Sequence, residues 1–153
     1  MDISRRGQLV MAVVQHTVNC NYDRAVQVLG EIAATSTRRQ MYGACCALAE
    51  AGRQILVRLY GHASPEGLWA LAAPDPDDDC AQHPAHLFSL RFIAAFANRD
   101  MPTCEALYLA AANASGEDYF HSLTALIGDV GHLARVALEE LAADSEQPAP
   151  HPR

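Results

Sequence analysis

The sequence predicts an all-α protein of six main helices arranged as two similar three-helix halves, a pseudo-two-fold helical bundle. Three observations carry this expectation. Apolar residues recur at helical spacing along nearly the whole chain, capping residues and glycines punctuate that spacing, and the inner stripes of the first half reappear 78 residues later.

Leu9, Val10, Val13, Val14 and Thr17 mark a first helix over roughly 4–19, with Ser4 as its cap. Asn21 caps a short second helix whose inner face is Ala25, Val28, Leu29, Ile32 and Ala33. Thr35 or Ser36 opens a longer third helix that runs to about Tyr60, and Gly61 closes it. Its stripe is Met41, Cys45, Leu48, Gly52, Ile55 and Leu59, with Arg38, Arg39, Glu50, Arg53 and Arg58 outside.

Residues 61–86 interrupt the pattern. Ser64-Pro65-Glu66 starts a short helix by the cap-then-proline rule, and Leu68, Trp69 and Leu71 give it an apolar side. An acidic, proline-punctuated loop from Pro74 to Asp79 follows. A fourth helix from Pro84 to Asn98 is apolar on nearly all sides, which predicts a central position. Asp100 caps a fifth over roughly 101–114, and Ser115, with Glu117 and Asp118 behind it, opens a sixth that reaches Ala143. One helical domain therefore spans 1–143, with halves at about 4–60 and 84–143 and an insertion at 61–83. The Pro-rich tail 144–153 is expected to be disordered.

A shift of 78 residues lays Met41, Cys45, Leu48, Gly52, Ile55 and Leu59 on Tyr119, Leu123, Leu126, Val130, Leu133 and Ala137. The same shift takes Val10, Val14 and Val18 to Phe88, Phe92 and Phe96, and Leu29 and Ile32 to Leu107 and Ala110. Such a duplication implies that each half covers apolar surface the other leaves open.

Composition narrows the function. A net charge of −7 and a pI near 5.4 argue against nucleic acid, whose phosphates demand a basic stripe. All 11 basic residues are arginine, so neither a Schiff-base lysine nor the lysine of a P-loop exists here. The start from Met1 to Arg6 leads into an interrupted amphipathic stretch, unlike a signal peptide, and no apolar run suits a bilayer. Five cysteines without a framework spacing predict a reduced, cytoplasmic setting.

Few residues suggest chemistry. Cys80, His83 and His86 place three potential zinc ligands within seven residues, with His62 and the preceding aspartates as completing donors. The spacing is not a common zinc motif, and a solvated loop explains it as well. His16 and Cys20 share a helix face, but the stripe Leu9, Val13, His16 and Cys20 reads as a core edge. Cys45 and Cys46 are adjacent, and helical neighbours diverge too far to pair comfortably. Phe88, Phe92 and Phe96 read as core in preference to a ligand box, and Asp129 with His132 as an acid–base pair beside Gly128 and Gly131, where another helix could approach closely.

The expected function is a non-enzymatic helical protein–protein interaction module, a homodimeric adaptor or regulator, with Trp69 docking on the bundle or hooking a partner. The alternative is a small-molecule- or metal-binding regulator that uses residues 61–86 or the interface between the halves. Catalysis ranks last, because it needs His16, His121 or His132 to converge with a carboxylate or a thiol.

Overall fold

A computed structural model describes residues 3–61, 68–69 and 83–146. They form helices α1 (Ile3–Val18), α2 (Tyr22–Thr35), α3 (Arg38–Tyr60), α4 (Pro84–Ala97), α5 (Met101–Ala112) and α6 (Gly116–Glu146). No strand occurs among the described residues, and the all-α class holds. No described helix is long and apolar enough to cross a membrane. The short helix expected at Ser64 lies outside the described residues, as do His62 and Cys80.

Local hydrogen bonding moves several boundaries. Ser4 lies inside α1 and does not cap it. Thr37, not Thr35 or Ser36, opens α3: its hydroxyl accepts the Gln40 N–H at 3.3 Å, while the Gln40 side chain accepts the Thr37 N–H at 2.9 Å. Thr35 is instead the last residue of α2, where its hydroxyl donates to Glu31 O at 2.7 Å. Gly61 does close α3, with φ at 76° and its N–H on Val57 O at 2.9 Å. At the other end α6 continues to Glu146, three residues into the stretch expected to be tail.

Helix α4 packs against α3, α5 and α6, and its broadest contact is with α6. This is the central position that its apolar composition predicts. Phe92 at 0% exposure anchors the core, with the Tyr42 ring edge-on at 6.4 Å and Phe88 at 5.5 Å. Leu29, Ile32, Leu123, Leu126 and Val130 fill the remaining interior. Polar ties join the elements at the edge of this core. The Tyr108 hydroxyl donates to Arg38 O at 2.8 Å and lies 3.0 Å from the Tyr119 hydroxyl, linking α5 to both long helices. Arg135 of α6 donates to Thr17 O at 3.1 Å and to the Tyr22 hydroxyl at 2.7 Å.

Helices α1 and α6 approach closely at Gly131. A Cβ placed there would stand 2.7 Å from Thr17 Cβ and closer still to its methyl group. Gly128, by contrast, meets nothing within 4 Å. Of the two glycines flanking His132, only Gly131 is therefore demanded by packing.

The two ends of the chain share local detail. After α1, the N–H groups of Asn19, Cys20 and Asn21 donate to Gln15, Thr17 and His16; after α4, those of Asn98, Arg99 and Asp100 donate to Ala94, Phe96 and Ala95. The middle residue of each turn is left-handed, Cys20 at φ 57° and Arg99 at φ 60°. These residues correspond at a shift of 79, not 78, and so do the buried pairs Val10 and Ser89, Val13 and Phe92, Ala25 and Cys104, and Leu29 and Tyr108. In the long helices the shift is 78: Ala44, Cys45, Leu48, Ala49 and Gly52 are buried, as are Ser122, Leu123, Leu126, Ile127 and Val130. The caps Thr37 and Ser115 keep that same interval. The single 78-residue shift thus holds for α3 and α6 alone. One extra residue between the start of α2 and the cap of α3 accounts for the difference.

Candidate functional site, a cleft between three helices

A hollow of about 480 Å³ lies among α4, α5 and α6. Leu87 and Phe88 of α4 and Leu107, Ala110, Ala111 and Ala114 at the end of α5 supply apolar walls. His83, Arg91, Asp118, His121 and Ser122 stand among these as the polar groups. The space arises because α5 presents alanines there, each too small to reach the facing helices.

His83 and Asp118 are placed by helix ends. His83 is the N-cap of α4, and its Nδ1 accepts the Ala85 N–H at 3.3 Å. That bond leaves the proton of a neutral ring on Nε2, as a donor. The His121 ring stands edge-on to His83 with centroids 6.4 Å apart. Asp118 occupies the first turn of α6, where Ser115 Oγ accepts its N–H at 3.0 Å and donates to its Oδ2 at 2.7 Å. Arg91 is exposed and makes no ion pair among the described residues.

A smaller hollow of about 240 Å³ opens on another side of α4, lined by Leu56, His86, Leu90, Ile93, Asp129, His132 and Leu133. His86 Nδ1 lies 3.1 Å from Asp129 Oδ2. Burial holds the Asp129 carboxyl above the usual carboxylate range, and Ser89, His86 and His132 oppose that shift.

The expected zinc set therefore divides. His83 faces His121 in the large cleft, His86 faces Asp129 in the small one, and Cys80 lies outside the described residues. Among the described residues no three potential ligands are placed to hold a metal ion. Of the histidines considered for catalysis, His121 lines the large cleft with Asp118 and His132 the small one with Asp129, each carboxylate three residues earlier on α6, while His16 sits in the last turn of α1.

The thiols are poor nucleophiles. Burial pushes Cys45 up to about 12 and Cys104 up to about 11, so neither forms thiolate near neutral pH. Cys20 is exposed and left-handed in the turn after α1, off the helix face expected to pair it with His16. The inner stripe of α1 is instead Val10, Val13 and Thr17.

Trp69 is half-buried, and Asn98 holds its backbone at two points. The Asn98 Oδ1 accepts the Trp69 N–H at 2.6 Å, and its Nδ2 donates to Trp69 O at 2.9 Å. The insertion is thereby tied to the end of α4. Sequence reasoning missed this role for Asn98, since an asparagine after a helix reads only as a cap.

No family model, curated protein or solved structure matches this chain. The residues alone define its class, an all-α bundle with an alanine-walled cleft beside its central helix.

Proposed function

We propose that this protein is a non-enzymatic helical interaction module that pairs with a second copy of itself through the outer face of α1. The observation that carries this reading is Met11, 64% exposed on a helix whose inner stripe already satisfies the core. One helical step round from Val10, Val13 and Thr17 run Met11, Val14 and Val18, which with Gly7, Ala12 and the polar Gln8 and Gln15 line a shallow trough. Helix α1 thus carries a second apolar stripe, which reaches the core at Val14 and leaves Met11 to solvent. A second stripe of this kind suits a self-complementary helix pair across a two-fold axis. The unpaired cysteines fit a cytoplasmic setting.

The same reading includes a pseudo-two-fold bundle. Its support is that a Cβ on Gly52 would lie 3.5 Å from Val130 Cγ2, so these equivalent positions of α3 and α6 touch each other. Self-contact of equivalent residues is what a two-fold axis between two copies produces. The alike turns after α1 and α4 point the same way.

Light scattering on the full chain at about 100 μM tests self-association. A dimer is expected, with Met11→Glu shifting it to monomer while helicity is retained. A wild-type monomer at that concentration, or a dimer indifferent to Met11→Glu, contradicts the reading.

A second reading, a regulator that holds a small molecule, is favoured by the α4–α5–α6 cleft, whose 480 Å³ falls within the roughly 300–1,000 Å³ common for ligand sites.

A further inference from the structure

We infer that the α4–α5–α6 cleft binds a small apolar carboxylic acid, with its hydrocarbon body against the leucine, phenylalanine and alanine walls and its carboxylate between Arg91 and the His83–His121 pair. The inference rests on the ligand-holding reading of the cleft and adds the chemical class of the ligand.

Two observations carry it. The first is the chemistry of the lining. Eight apolar residues line a hollow of about 480 Å³; the Ser122 hydroxyl in its wall already donates to Asp118 O, and the remaining donors are Arg91, always cationic, and two imidazoles whose rings stand 6.4 Å apart. His83 accepts at Nδ1 from its own helix, which keeps Nε2–H for another acceptor. The one carboxylate in the lining, Asp118, already accepts the Ser115 hydroxyl at 2.7 Å. Among the described residues no ion pair joins Asp118 to Arg91, His83 or His121, so these donors are not matched by the cleft's own carboxylate.

The second is a difference between corresponding places in the chain. At the shift of 79 that superimposes the turns, Ala110, Ala111 and Ala114 of α5 correspond to Glu31, Ile32 and Thr35 of α2. In the first half larger side chains occupy this position, and the Glu31 carboxylate receives Arg5 of α1 at 3.3 Å. In the second half alanine stands where Glu31 would be, and among the described residues neither His83 nor Arg91 of the facing helix pairs with a carboxylate from α5. A ligand that brings an apolar body and one carboxylate restores what the alanines remove. A neutral ligand fills the space but leaves Arg91 and the imidazoles unmatched.

Titration calorimetry of the full chain with 4-phenylbutyrate and with its uncharged amide tests the inference. The acid is expected to bind, the amide about tenfold or more weakly, and Arg91→Gln to weaken the acid by roughly tenfold while leaving the amide unchanged. Ala110→Trp, at an exposed helical position on the lining, is expected to abolish binding of both with helicity intact. Equal binding of acid and amide, both lost in Ala110→Trp, overturns the carboxylate class and leaves the cleft as a ligand site. Binding that survives Ala110→Trp, or none by either probe up to roughly 10 mM, overturns the cleft reading itself.

Discussion

Gly131→Ala is expected to destabilise the fold by about 3 kcal/mol, although alanine is by far the better helix former. An isolated helix gains roughly 1 kcal/mol from such a change. Here the new methyl group would fall 2.7 Å from Thr17 Cβ, an atom that no rotamer change moves. Thr17 itself is fully buried, its hydroxyl donates to Val13 O at 2.8 Å, and its carbonyl accepts Arg135. Relief therefore requires α1 to move off α6. The midpoint of thermal unfolding is expected to fall by roughly 6–12 °C for a chain of this size. Gly128→Ala is the control, since open space surrounds that position, and it is expected to be neutral or mildly stabilising. Adding Thr17→Ala to Gly131→Ala should recover only part of the loss, because the Cβ of residue 17 remains. Equal behaviour of the two glycine variants would show that α1 and α6 do not meet at Thr17.

Phe92→Ala is expected to cost about 4 kcal/mol, through lost burial and through the cavity left behind. Phe92 is fully buried on the central helix, with the Tyr42 ring of α3 at 6.4 Å and Phe88 at 5.5 Å. Its carbonyl also lies 3.9 Å from Cys104 Sγ of α5. Removal of the ring thus loosens three helices together. Guanidinium unfolding should show a lower midpoint at nearly unchanged slope. Phe96→Ala, on a partly buried position at the end of the same stripe, should cost clearly less. If the two costs were equal, α4 would not occupy the centre of the bundle.

Much of this architecture was legible in the sequence, and the reason is length. Helices α3 and α6 are long enough for the four–three spacing to repeat over several turns, so Cys45, Leu48 and Gly52, like Leu123, Leu126 and Val130, emerge as inner residues without ambiguity. Short helices carry weaker signals. In α1 two apolar stripes lie side by side, and nothing in their composition says which turns inward; Val10, Val13 and Thr17 do, while Met11 faces solvent. The sequence pattern puts the start of α3 at Thr35 or Ser36 and passes over Thr37, with which the Gln40 side chain completes a capping box.

The cleft was illegible for a different reason. Its walls are opened by Ala110, Ala111 and Ala114, and missing volume has no sequence signature in a chain rich in alanine. His83 and His121 are 38 residues apart in the sequence and meet only because the starts of α4 and α6 lie together. Adjacent histidines were more conspicuous, yet His83 and His86 open onto different hollows. The close approach at Gly131 was half legible: paired glycines on a helix suggested a neighbour, while only coordinates distinguish the crowded one from the free one.

Closure of the two helical triplets over one another is tested most directly by disulfide trapping across α3 and α6. In a Gly52→Cys, Val130→Cys chain the new thiols replace a glycine and a valine that already touch, and a cysteine at 130 places sulfur near the present Cγ2. Mild oxidation is expected to give one intramolecular bond between positions 52 and 130, identified as a linked peptide by mass spectrometry and lost on reduction. A folded, helical chain in which these positions stay unlinked, or link only between molecules, would contradict the arrangement.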